Sequence, residues 1–122
     1  MKILLVEDEK IFSDILQERL QRSGDTVEIA LDGEAGIAAV KSFHPDVIVL
    51  DLMLPKKNGF EVMEAIKADP ASAGIPILVL SNLGDENDIK HAMQLGATDF
   101  FIKVEHSLSE IVEKVEHMVV KK

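Results

Sequence analysis

The chain contains no cysteine, so neither a disulfide framework nor a thiolate metal site can form, a pattern compatible with a reducing cytosol. Positive charge is also scarce. Thirteen basic residues face 22 acidic ones, for a formal net charge of −9. Such a surface repels nucleic-acid phosphates and anionic lipid, so neither nucleic acid nor membrane is expected as a direct partner. No apolar run approaches membrane-spanning length, and the opening "MKILLVED" is too short and too soon acidic for a signal peptide; a cytoplasmic protein is expected. The sequence has no internal repeat and no low-complexity linker. It also lacks a glycine-rich phosphate loop, because "DGEAG" has the wrong spacing for one.

What is present suits one domain spanning residues 1–122, since 47% apolar and 29% charged residues over this length can close a single core. Four short apolar runs, "ILLV" (3–6), "VIVL" (47–50), "ILVL" (77–80) and "FFI" (100–102), read as strands buried on both faces. In "VEIAL" (27–31), Val27, Ile29 and Leu31 alternate with Glu28 and Ala30, which suits an edge strand.

Helical spacing fills the intervals between these runs. Phe12, Ile15, Leu16 and Leu20 share a face before "SGD", and a weaker helix covers 32–42. A third helix runs from about 60 to 68, and a fourth from the N-cap Asp85 to Gly96. A fifth is marked by Leu108, Ile111, Val112, Val115 and Val119, with Lys121 and Lys122 at its negative dipole end. Strand then helix, five times, predicts a doubly wound α/β fold with a parallel sheet and right-handed crossovers.

Ligands in such folds bind beyond the carboxyl ends of the strands. There the chain places Glu7 and Asp8 after the first strand, Asp51 after the third, Ser81 at the fourth and Lys103 after the fifth. Asp32 follows the edge strand and is expected farther out. Three clustered carboxylates repel unless a cation lies between them, and an all-oxygen donor set favours Mg²⁺. With Lys103 to hold a phosphoryl oxygen and Ser81 to donate to another, Asp51 is set to attack phosphorus and become an acyl-phosphate.

The segments "ILLVEDE", "VIVLDLMLPKKNGFEV", "PILVLSN" and "GATDFFIK" resemble the receiver domain of bacterial two-component response regulators, in particular single-domain receivers of the chemotaxis-regulator type. The spacing agrees: Ser81 lies 30 residues after Asp51, and Lys103 lies 22 after Ser81. The resemblance implies a flavodoxin-like five-stranded sheet of order 2-1-3-4-5 with five helices. Asp51 is then the phosphoacceptor, with Mg²⁺ held by Asp8, Asp51 and the Met53 backbone carbonyl, and by Glu7 through water. Lys103 matches the family's invariant lysine, Ser81 the switch hydroxyl and Phe100 the switch aromatic. The implied donor is a histidine kinase or histidine phosphotransfer protein. The output is a conformational change that alters binding of a separate downstream protein, either by a monomer or by a weak dimer through the fourth and fifth helices. The domain catalyses only its own phosphorylation and dephosphorylation.

Plainer readings stand beside these. Asp8 could cap the first helix, Ser81 could be a turn residue, Lys103 a surface lysine and Phe100 ordinary core. The four histidines show no metal-ligand spacing and read as exposed side chains. Val104 stands where the family usually has proline, so a trans bond and a shifted loop are expected after Lys103. Met53 and Leu83, two residues beyond Asp51 and Ser81, offer no side-chain hydrogen bond to an attacking water, which implies slow self-dephosphorylation. Two rivals remain: an aspartate-nucleophile phosphatase of the haloacid dehalogenase type, which needs an acid where Met53 stands, and a phosphate-independent pseudo-receiver, expected to lose Asp51, Asp8 or Lys103.

Overall fold

A computed structural model describes residues 1–118. The expectations for Val119, Lys121 and Lys122 lie outside the described residues. Strand β1 (Lys2–Val6) leads to helix α1 (Lys10–Arg22), β2 (Thr26–Ala30) to α2 (Gly33–Phe43), and β3 (Val47–Leu50) to α3 (Gly59–Ala68). Then follow β4 (Ile77–Ser81), α4 (Glu86–Gln94), β5 (Asp99–Ile102), a 3-10 turn (Lys103–Glu105) and α5 (Leu108–Glu116). The strands form one parallel sheet of order β2-β1-β3-β4-β5, as the resemblance implies. None of the described helices is long and apolar enough to cross a membrane.

The period of two along each strand divides the core into two layers. Leu4, Val6, Ile48, Leu50, Ile77 and Val79 pack against Val40, Val62, Met63, Ile66 and Ala92, on the α2–α4 face. Ile3, Leu5, Val47, Val49, Leu78 and Leu80 pack against Leu16, Leu20, Ile111, Val112 and Val115, on the face of α1 and α5. Both sides of β1, β3 and β4 are therefore apolar, which is why these strands read as unbroken apolar runs.

Helix ends follow local chemistry. Asp32 caps α2 through the Ala35 amide, Asp85 caps α4 through the Asp88 amide, and Asn58 with Glu61 and Ser107 with Glu110 form capping boxes at α3 and α5. The first helix differs: its N-cap is Glu9, not Asp8, and no side-chain hydrogen bond closes it.

Four expectations need correction. β5 is the second edge strand, so all four of its residues are only half-buried. Ile15 is 48% exposed, because α1 buries the narrower stripe of Ser13, Leu16 and Leu20. Leu31 lies past the end of β2 and is exposed, while Ala30 is buried. His106 is half-buried, because its ring stacks on Phe101 at 3.9 Å. His44, His91 and His117 are exposed.

Candidate functional site

Register brings the strand-end residues together. Val6 pairs with Leu50 and Leu50 with Val79, so Glu7 and Asp51 leave adjacent strands side by side. Ser81 pairs with Ile102, which sets Lys103 beside them from the far edge of the sheet. The β3–α3 loop is held close under the site, since a Cβ on Gly59 would collide with the Asp51 carbonyl and with Leu52.

Glu7, Asp51, Ser81 and Lys103 are all buried, although burial of charge is costly unless it is paired. The pairing is dense. Lys103 Nζ lies 2.8 Å from Glu7 Oε1, 2.8 Å from Glu9 Oε1 and 3.4 Å from Asp51 Oδ2, and it sits 4.7 Å from the Phe12 ring centre. Asp51 Oδ1 accepts from Ser81 Oγ at 2.7 Å and from the Met53 amide at 3.1 Å. Glu7 Oε2 accepts from the Glu9 amide at 3.0 Å, so Glu7 rather than Asp8 satisfies backbone at the start of α1.

The charges shift one another. Burial raises the Glu7 carboxyl to about 7, with the Asp51 charge adding to the rise and the Lys103 hydrogen bond opposing it. Burial works against the Lys103 ammonium, but the hydrogen bonds of Glu7 and Glu9 and the Asp51 charge outweigh it and raise its pKa.

Asp8 is exposed, yet Glu7, Asp8 and Asp51 each offer a carboxylate oxygen within 4.8 Å of the others. A set of three hard oxygens at this spacing fits a divalent cation such as Mg²⁺. Asp8, Glu9, Asp51, Met53, Asn82 and Lys103 line a cleft of about 300 Å³. Met53 is 58% exposed at its rim, and its amide is turned to Asp51. Leu83 and Met53 share the neighbouring cleft. Phe100 is half-buried, packed against the α2–α4 core layer, and is set apart from the polar cluster.

The structure thus brings Glu7, Asp8, Asp51, Ser81 and Lys103 together, with Met53 at the rim, while Phe100 stands apart. Glu9 and Asn82 join them in the cleft, and Phe12, expected only on the apolar face of the first helix, reaches Lys103. Glu9 was within reach of sequence reasoning, as the third acid of "EDE" after β1, but an acid at a helix start reads as a cap. Every peptide bond among the described residues is trans, Lys103–Val104 included, and the chain turns there through the 3-10 segment.

A doubly wound sheet with a buried, lysine-paired aspartate and an acidic cluster at its carboxyl edge defines the receiver class of α/β signalling domain. The chain belongs to the response regulator receiver domain family, which matches residues 3–116. Among curated proteins it is 37% identical over 113 residues to the DNA-binding dual master transcriptional regulator RpaA of Synechocystis, covering 90% of this chain and 47% of that protein. It is 40% identical over 102 residues to the alkaline phosphatase synthesis transcriptional regulatory protein PhoP of Bacillus subtilis, covering 84% and 42%. The chain thus spans about half the length of the curated relatives it matches. Among solved structures, the phosphorylated cyanobacterial phytochrome response regulator RcpA superposes with a TM-score of 0.82 at 37% identity, covering 94% of this chain and 88% of that one. The chain is the receiver domain of a two-component response regulator.

Proposed function

We propose that this receiver accepts a phosphoryl group on Asp51 from the phosphohistidine of a histidine kinase or phosphotransfer protein in the cytoplasm, and signals through a change in partner binding. The observation that carries this reading is the position of Asp51, buried beneath an open cleft with Lys103 and Ser81 on its two oxygens and with Glu7 and Asp8 beside it. An Asp51 carboxylate oxygen attacks phosphorus, the P–N bond of the donor breaks, and the imidazole leaves with the electron pair of that bond. Asp8 and Asp51, the Met53 carbonyl and Glu7 through water would hold Mg²⁺, which supplies positive charge against the phosphoryl oxygens.

The chain's own residues do the rest. Lys103 moves a donor from its carboxylates to a phosphoryl oxygen, and Ser81 Oγ passes its hydrogen bond from Asp51 to another. Ser81 also accepts from the Leu83 amide at 3.4 Å, so this exchange pulls on the loop before α4. Leu83 and Phe100 pack on one core layer, which gives Phe100 a path to respond as the switch. Exposed Ile11, Met53 and Val104 lie on α1, the β3–α3 loop and the turn after β5, a set of apolar contacts for the donor protein. The solved relatives described as phosphorylated RcpA and Mn²⁺-bound Rcp1 support the phosphoryl and metal readings.

The test is intact-mass measurement after incubation with Mg²⁺ and acetyl phosphate. One added phosphoryl group is expected on the protein and none on Asp51→Asn; equal labelling of both would overturn the assignment.

A further inference from the structure

Lys103 is held by one carboxylate more than the reaction uses. Its ammonium has three N–H donors, and three carboxylates take them, with Glu7 and Glu9 both nearer than Asp51. Glu7 and Asp51 form the buried floor. Glu9 enters from outside, with its side chain 60% exposed. It occupies the N-cap position of α1 yet makes no capping hydrogen bond, and Lys103 is the one side-chain partner of its carboxylate among the described residues. The residue best placed to close the helix has turned to the lysine instead.

We infer that Glu9 is a positioning residue that tethers Lys103 and competes with the incoming phosphoryl group for its ammonium. The inference rests on Asp51 as phosphoacceptor. Glu9 and Lys103 line the same cleft as Asp51, so a phosphoryl oxygen that reaches Lys103 from the open side arrives beside the Glu9 carboxylate. Two anions drawn to one ammonium repel each other, so the Glu9 bond weakens as the group is accepted. Because Glu9 is exposed, releasing it costs the fold little, and the effect falls on the affinity for the phosphodonor.

Labelling rates are measured with Mg²⁺ over a series of acetyl phosphate concentrations for wild type, Glu9→Gln, Glu9→Asp and Asp14→Asn. Glu9→Gln is expected to accept phosphoryl groups about two- to fivefold faster at low donor concentration, through a lower half-saturating concentration rather than a higher maximal rate. Glu9→Asp keeps the charge but is one methylene shorter, so it should match Glu9→Gln if the tether matters. Asp14→Asn removes a nearby charge on α1 that is paired with Lys10, and it should match wild type. A second readout needs neither metal nor donor. In NMR spectra of the free protein, the Lys103 ammonium protons should exchange with water faster in Glu9→Gln than in wild type. Glu9→Asp behaving as wild type, or unchanged Lys103 exchange in Glu9→Gln, would overturn the tether. If wild type takes up no phosphoryl group, the phosphoacceptor reading falls, while the exchange measurement still reports on the Lys103–Glu9 contact separately.

Discussion

The two ends of the sheet use polar side chains in opposite ways. At the amino end they finish the backbone: Asp46 accepts from the Lys2 amide at 2.7 Å, Thr98 Oγ1 from the Ile77 amide at 3.1 Å, and Ser72 Oγ donates to the Ile66 carbonyl at 2.7 Å. At the carboxyl end the buried groups bond chiefly to one another, through Lys103, Glu7, Asp51 and Ser81. Backbone bonds are fixed by the fold and have no alternative partner. Side chains that satisfy one another can exchange partners when a ligand arrives, which suits the carboxyl end to the chemistry proposed for it.

The comparison breaks hardest at Lys103. Lys103→Met leaves Glu7 and Asp51 buried with no cation, and should cost about 3–5 kcal/mol in urea unfolding without Mg²⁺. Adding Mg²⁺ should recover part of that loss, whereas a loss indifferent to Mg²⁺ would mean that the acids do not share a cation site.

At the same end, Met53→Asn with Leu83→Glu brings hydrogen-bonding groups to the mouth of the cleft. It should shorten the lifetime of phosphorylated protein by about tenfold, read as loss of added mass with time. An unchanged lifetime would end the claim that these apolar residues slow hydrolysis.

At the amino end, Thr98→Val orphans the Ile77 amide and should lower stability by about 1–2 kcal/mol while leaving labelling intact. Altered labelling would show that the two ends are coupled. Lys56 sits in the loop before α3 at φ 68°, where side chains are strained, so Lys56→Gly should stabilise by about 1 kcal/mol in thermal unfolding.

The smallest effect is at Asp99. Burial raises its pKa, but the Lys114 hydrogen bond at 2.6 Å, with help from the Phe100 amide, lowers it further than burial lifts it. A depressed acid contributes stability above its unfolded pKa and loses it as pH falls through the folded one. Asp99→Asn should therefore remove under about 1 kcal/mol at neutral pH, and nothing at a pH below both values. A constant difference across that range would contradict the ion pair.

Apolar run length and helical spacing determined the element order and the parallel sheet, because burial on both faces leaves no polar alternation in β1, β3 and β4. The same logic misled at "FFI": an edge strand can be apolar, and only the sheet order shows which strand lacks a neighbour. Strand-end position likewise placed Glu7, Asp8, Asp51, Ser81 and Lys103 at the carboxyl edge of the sheet, where the structure brings them together. Which atoms meet was a tertiary matter. Sequence placed Asp8 as a possible cap and Glu9 nowhere, whereas the fold puts Glu9 at the cap position and turns its carboxylate onto a lysine 94 residues away in the chain. A contact across that separation depends on strand register and helix placement together, and no local pattern in "EDEK" records either.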